Sequence, residues 1–320
     1  MSKVASLGVY IADMLGRHVS QIPPGQNISI LEEIRITVAG TAGGTTVDLA
    51  KLGMDVYALG AVGTDELGDF VINTLKKYGV HTEGMVRKSG VQTSATILPI
   101  RPNGERPALH VLGANAELTE KDVDLDLVAS MDYIHIGGTP LVPKLDGEPM
   151  SRIFRHAHEH GVVTTYDVLA MPRPDMLKLV ATSLPWVDYW MPGFEEAVMM
   201  SGLSKRAEVI RFFLDKGTKH TIFKMGGEGS SAAWMENGAL KEIRVPALEV
   251  PVVDSTGCGD AYCAGFITGL SLGYDIRKAC ELGTAAGGLV IQGLGSDAGI
   301  KDLPGTLEFM KSAKRKPLAS

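Results

Sequence analysis

From about residue 130 onward, short β-rich runs alternate with segments of helical periodicity, and that alternation leaves few ways to build a core. The runs fall at 133–136, 162–166, 189–191 and 221–225. Between them, 150–160 and 204–216 carry apolar residues at helical spacing and stop at Gly161 and Gly217, which suit helix C-caps. The pattern predicts βαβ units around a parallel sheet. The first half opens similarly, with a strand at 4–9 and a helix through 48–52 ended by Gly53. A chain of 320 residues fits one such sheet with an appendage, so a single α/β domain over 1–320 is expected.

Two stretches break this rhythm. In 33–38, Ile34, Ile36 and Val38 alternate with polar residues, and 94–112 reads as strand, turn at Pro102-Asn103-Gly104, strand. Period-two strands outside the βαβ rhythm suggest a small separate sheet with one wet face. Such a sheet would serve as a lid over a site; an antiparallel edge extension of the main sheet would read the same way.

Charge and cysteine usage exclude several classes. The formal net charge of -6 offers no basic field for nucleic acid or anionic lipid. Cys258, Cys263 and Cys280 have neither CxxC spacing nor a later His pair, and read as reduced thiols in a packed region. The opening segment lacks the basic start and long apolar run of a signal peptide, and no stretch is apolar enough to span a bilayer. A cytoplasmic protein is the expectation.

The most informative segment is 250–266, VPVVDSTGCGDAYCAGF. An apolar run leads into Asp254-Ser255-Thr256-Gly257-Cys258-Gly259-Asp260, and 261–272 is helical in composition. Small residues ahead of a helix let backbone N–H groups converge, and the helix dipole adds positive potential there. With a phosphoryl group on the amides of Gly257, Cys258 and Gly259, Asp260 would face the acceptor and could take the proton of an attacking hydroxyl. An acid in a first helical turn often does no more than stabilise that turn. Here the glycines flanking Cys258 and the upstream Asp254 favour chemistry. Transfer of a γ-phosphoryl needs mainly alignment and charge compensation, which such a loop supplies.

DSTGCGD resembles the second signature of the ribokinase-like (PfkB) sugar kinases, D-T-x-G-A-G-D, with Ser255 and Cys258 as small-residue departures. The resemblance spans nearly the whole chain. Residues 8–13 resemble the family's first strand and the aspartate that bonds sugar hydroxyls, here Asp13. AGTAGGTTVDLAKLG at 39–53 is similar to G-G-x-x-x-N-x-A, with Ala39 at the first glycine and Gly44 at the asparagine. Residues 60–68 match the G-x-V-G-x-D-x-x-G run, and Gly113-Ala114-Asn115 resembles a G-A-N element.

The resemblance implies a doubly wound, mainly parallel sheet flanked by helices, with a small β-sheet lid from segments of about 14–39 and 90–114. It implies Asp260 as catalytic base and Gly257, Cys258 and Gly259 as the anion hole. Asp13, Gly40, Thr41, Gly44 and Asn115 would place the acceptor. Lys224, Gly226, Gly227 and Gly229 resemble the glycine-rich turn near the ATP phosphates, although an ordinary hairpin turn would read alike. Thr284 and Gly288 would border the adenine. Asp254, Thr256 and Gly295 would support a monovalent cation such as K+. Glu196 would act on Mg2+ through water, although the asparagine expected ahead of it is Gly193. The implied reaction is ATP-dependent phosphorylation of a small sugar or sugar derivative, with a nucleoside kinase or a catalytically silent sensor as alternatives. Lid-to-lid homodimers are common in the family.

Other signals weigh less. No GxxxxGK[ST] occurs, and the GxGxxA match at 293–298 leaves too little chain for a βαβ unit. His156, His158 and His160 lack the HExxH order and a third ligand, and read as a solvated helix face.

Overall fold

The structure, a computed structural model, describes residues 2–103, 105–169, 171 and 173–318. Gly104, in the turn expected at 102–104, lies outside the described residues. In the first part of the chain the elements are β1 (Lys3–Gly8), β2 (Ile11–Arg17), β3 (Glu33–Ala39), α1 (Gly43–Lys51), β4 (Asp55–Gly63), α2 (Glu66–Lys77), β5 (His81–Lys88), β6 (Ala95–Ile100) and β7 (Leu109–Val111). The middle holds α3 (Leu125–Ala129), β8 (Tyr133–Thr139), α4 (Glu148–Glu159), β9 (Val163–Val168), α5 (Met176–Ala181) and β10 (Tyr189–Trp190). There follow α6 (Phe194–Ser201), α7 (Arg206–Asp215), β11 (His220–Lys224), β12 (Ser230–Glu236), β13 (Ala239–Val245), α8 (Cys258–Ser271), α9 (Ile276–Val290) and α10 (Leu303–Ser312).

Among the described residues the main sheet has nine strands in the order β13-β12-β11-β10-β9-β8-β1-β4-β5. All neighbours from β11 to β5 run parallel, and β12 and β13 add antiparallel at one edge. Alternation along the central strands divides the core. Ala5 and Leu7 pack with α4, α6 and α7 on one face, whereas Val4 packs with α1, α2, α8 and α9 on the other. With both faces covered, β8 is buried from Ile134 to Thr139, as parallel strands between helical layers must be. Burying one large side chain such as Phe154 or Phe266 contributes about 1.5–3 kcal/mol, so both layers carry weight.

The second sheet is separate, in the order β3-β2-β6-β7. It is mixed, since β2 and β6 run parallel and the other pairs antiparallel. Its register sorts residues by chemistry. Asp13 lies beside Thr37 and Thr96, and Thr96 beside His110, on one face. Met14, Ile36, Ile97 and Leu109 form the corresponding row on the other. The polar face meets the segment after α9: Arg35 Nη1 donates to Leu294 O at 2.8 Å and Nη2 to Asp297 Oδ1 at 3.0 Å.

The first strand of this sheet starts at Ile11, earlier than the segment boundary near 14, so Asp13 belongs to the small sheet. β1 stops at Gly8, whose φ of +140° turns the chain out of the main sheet.

Candidate functional site

The loop into α8 is built by one carboxylate. Asp254 Oδ1 accepts the Thr256 N–H at 2.9 Å and the Thr256 hydroxyl at 2.7 Å, and Oδ2 accepts the Gly295 N–H at 2.9 Å. This fixes the loop against the segment after α9. Gly257 then takes φ +77°, and a Cβ on it would lie 2.4 Å from Ser296 Cα, so both conformation and space demand glycine. The helix closes its first bond from Ala261 N–H to Gly257 O at 2.8 Å. Of the amides there, Cys258 N–H reaches Ser255 O at 3.4 Å, and the others have no intrahelical acceptor; with the helix dipole, amides so placed can hold an anion.

Asp260 stands in that first turn, where α1 meets α8. The Thr45 hydroxyl, which donates to Thr41 O at 2.8 Å, lies 3.2 Å from Asp260 O. The Asp260 carboxylate lies against Gly44: a Cβ there would sit 2.6 Å from Oδ2. Burial pushes the Asp260 carboxyl up to about 8, with Asp167 and Asp13 raising it further and Lys224 and Arg106 opposing. The group therefore holds its proton more tightly than an ordinary carboxylate, which makes its ionised form a stronger base.

Asp13 approaches from the small sheet and, like Asp260, feels Arg106. It is 6% exposed, and Oδ1 has no hydrogen-bond partner among the described residues. Burial pushes it up to about 6, Thr96 and Arg106 lower it, and Asp254 raises it. Gly40 leads from β3 into α1, and the buried Thr41 hydroxyl next to it likewise lacks a partner. Asp13 and Thr41 thus bring two buried polar atoms with unused bonding capacity.

The nucleotide-side candidates divide. Lys224, at the end of β11, pairs with Asp167, and its Nζ lies 3.3 Å from where a Gly259 Cβ would be. Gly226, Gly227 and Gly229 lie in a short turn between the antiparallel β11 and β12, with Gly226 and Gly229 at positive φ. Thr284 is half-buried on α9, and its hydroxyl donates to Cys280 O at 2.8 Å. One turn on, Gly288 faces Leu248 and Phe309, at 3.1 and 3.4 Å from its Cβ position. Both apolar side chains close against the glycine, where a Cβ would be crowded. Glu196 caps α6, its Oε2 accepting the Gly193 N–H at 2.5 Å, and it raises the Lys224 ammonium's pKa, so it lies within electrostatic reach of the site.

Asn115 is placed differently. Its Oδ1 accepts the Tyr10 N–H at 3.3 Å and its Nδ2 donates to Tyr10 O at 3.1 Å, in a fully buried position. The amide ties the entry of β2 to the chain returning from β7.

Three residues escaped sequence reasoning. Arg106, on the β6–β7 connection, reaches the α8 loop, where Nε donates to Ser255 Oγ at 3.2 Å; a lone arginine after a turn gave little signal. Asp167 is 1% exposed at the end of β9, and an acid closing an apolar run was its available cue. Asp48 interrupts the apolar face of α1 fully buried, with neither carboxylate oxygen hydrogen-bonded among the described residues. Burial holds its pKa well above the ordinary value, Lys51 opposes, and Asp260 and Asp297 add to the rise.

Several known proteins share this arrangement of chain. A family model described as pfkB family carbohydrate kinase matches residues 1–303. A 5-dehydro-2-deoxygluconokinase from Clostridium perfringens is 28% identical over 289 residues, covering 87% of this chain and 85% of its own. A 2-dehydro-3-deoxygluconokinase from Bacillus subtilis is 26% identical over 290 residues, 87% of each chain. A protein described as a ribokinase II from E. coli, solved in complex with ATP and Mg2+, superimposes with a TM-score of 0.83 at 22% identity, over 97% of this chain and 99% of that one. At that identity the likeness is one of fold.

Proposed function

Because the chain belongs to the pfkB family of carbohydrate kinases, we propose that it transfers the γ-phosphoryl of ATP to a hydroxyl of a sugar acid, with Asp260 as the base. The observation that carries this reading is the Asp260 carboxylate at the mouth of α8, electrostatically coupled to Asp13 and to Arg106. Asp260 takes the proton as the hydroxyl attacks, and the amides of Gly257, Cys258 and Gly259 hold the phosphoryl oxygens. Asp13 and Thr41, with unused bonding capacity, accept from or donate to acceptor hydroxyls. Gly40 offers main-chain surface there, Gly44 leaves the space in which the Asp260 carboxylate sits, and Asn115 serves through Tyr10. Arg106, approaching from the small sheet, supplies a cation for an acidic acceptor or for the moving phosphoryl group. Relatives named deoxygluconokinases favour an acceptor that carries a carboxylate.

The residues fit a triphosphate. Gly259 has no side chain to fill the space above Lys224, so an anion can meet the loop amides and the ammonium together. ATP supplies the phosphoryl group, and Mg2+ neutralises its charge. Glu196 would act on that metal through water, the turn at 226–229 would border the phosphates, and Thr284 with Gly288 would flank the adenine. Asp254, Thr256 and Gly295 would hold a monovalent cation such as K+, with Asp254 contributing the charge. The small sheet acts as the lid, excluding water as a competing acceptor.

The test is ADP release against a panel of neutral sugars, keto-deoxy sugar acids and nucleosides, with Mg2+. Sugar acids should give kcat/KM at least about tenfold above neutral sugars, the value of one charge-assisted contact. Turnover on nucleosides alone, or on nothing, would remove the proposal.

The lid's outer face suits a second copy of this chain. Ile34, Ile36, Ile97 and Leu109 are 73%, 45%, 52% and 63% exposed, a contiguous apolar row that an isolated monomer seldom presents. Two copies placing this face together would form an isologous dimer. The pair Ile34→Glu and Ile36→Glu should convert a dimer to a monomer in sedimentation; a monomeric wild type would refute this assembly.

A further inference from the structure

Beneath the anion loop lies a buried charge pair that the phosphoryl-transfer reading does not itself explain. Asp167 follows Tyr166 at the end of β9, level with the point where β10 stops after Trp190. Lys224 ends β11 on the far side of β10. Their side chains meet beyond the short strand, Nζ on Asp167 Oδ2, with 14% and 1% of the side chains exposed. Cys263, one turn along α8 from Asp260, closes the group: its Sγ donates to Asp167 Oδ2 at 3.5 Å and lies 3.8 Å from Lys224 Nζ. The second Asp167 oxygen accepts the Val168 N–H at 2.9 Å. The carboxylate is therefore held on two sides, and it holds the ammonium in turn.

The direction of that hold matters. Lys224 Nζ sits under Gly259, whose amide belongs to the anion loop, and Asp260 is the next residue. A lysine has four rotatable bonds, and in a poorly solvated pocket its charge would otherwise settle on another carboxylate within reach. Asp260, which feels the ammonium's charge, is one, and Glu196, engaged by the Gly193 N–H, is another.

We propose that Asp167 is a positioning residue of the transfer reaction: it anchors the Lys224 ammonium beneath Gly259, where the charge serves the phosphoryl group, and keeps it from neutralising Asp260. The inference rests on Asp260 being the base. The electrostatics agree in sign, since Asp167 raises the Asp260 carboxyl and Lys224 lowers it. Lys224 is kept protonated against its burial by Asp167 first, then Cys263 and Glu196. The other groups facing Asp260 are Asp48 from α1, Asp13 from β2, Arg106 from the β6–β7 connection, and Cys258 and Cys263 on its own helix.

The experiment is the pH dependence of kcat/KM in three variants. Asp167→Asn frees Lys224 to approach Asp260, so the acidic limb should move down by ~1 pH unit and kcat should fall about tenfold or more. Lys224→Met removes the opposing cation, so its limb should move up, with a higher KM for ATP. The double variant leaves no buried charge without a partner and should return the limb near the wild-type position. It also serves if Asp167→Asn alone fails to fold: a wild-type limb with a raised KM for ATP supports the anchoring role, and a displaced limb refutes it. Single variants that shift together, or not at all, overturn the inference while Asp260→Asn still abolishes the limb. A limb that survives in Asp260→Asn would instead overturn the base.

Discussion

Replacing Asp260 with asparagine is expected to lower kcat by about 10³-fold, with the Kd for ATP changed less than about twofold. The substitution keeps the shape of the side chain and the amides of Gly257, Cys258 and Gly259, so the anion site persists. It removes the negative charge and with it the ability to take a proton. The wild-type pH profile carries the same information. A base pushed up to about 8 by burial, with Asp167 next, is mostly protonated at pH 6 and ionises as pH rises. The rate should therefore climb with pH through the region of 8 and then level off. The residual activity of Asp260→Asn should show no such climb. Equal turnover in wild type and variant, or a profile that falls across that range, would remove the assignment. Stopped reactions at pH 6 and 9, with ATP binding followed separately, are sufficient.

The parts of the fold that could be read in the sequence are those in which local pattern and burial coincide. β8, β9 and β11 stand between helical layers and show as short runs rich in β-branched and aromatic residues, and α4 is followed by Gly161, of φ +75°, where the composition placed a cap. The small sheet could be read because its strands alternate, but the sense of the alternation could not: Ile34 and Ile36 face outward, whereas Asp13, Thr37 and Thr96 are buried. Its mixed order could not be read either, since the β2 and β6 pairing joins residues some eighty positions apart, such as Asp13 and Thr96.

The candidate site divides along the same line. The loop before α8 is a contiguous signature, and Asp254 braces it through Thr256, two residues away. The contacts that set its electrostatics are distant in the chain. Lys224 and Asp167 are 57 residues apart, Arg106 and Ser255 149, and no periodicity relates them. Asn115 reads in sequence as a residue that places the acceptor, and its hydrogen-bond partner Tyr10 is 105 residues away. Local pattern names the loop, whereas the fold alone names its neighbours.

Gly44 carries this furthest, and it yields the second large expected effect. From sequence, glycine at this position reads as the loss of an amide. In the structure its missing side chain is the space that the Asp260 carboxylate occupies, with Oδ2 2.6 Å and both Cβ and Cγ 3.2 Å from a Cβ built there. Gly44→Ala therefore sets two effects against each other. The residue is the second of α1 and is not among the glycines of positive φ, so alanine suits the backbone and favours the helix by at most about 1 kcal/mol. The new methyl cannot stay where it is drawn, because real carbons do not approach an oxygen so closely. The helix bond from Ala261 N–H to Gly257 O at 2.8 Å restrains the main chain of that turn, leaving rotation of the Asp260 side chain as the easy relief. Rotation by about 1 Å takes the base out of line with the acceptor, and misplacement of that size costs about 10²-fold in rate. Gly44→Ala should thus melt no lower than wild type while kcat falls about 10²-fold, and Gly44→Asn, with more bulk at the same point, should fall further. A Gly44→Ala enzyme of normal kcat would mean that Asp260 does not work from the position it holds against α1.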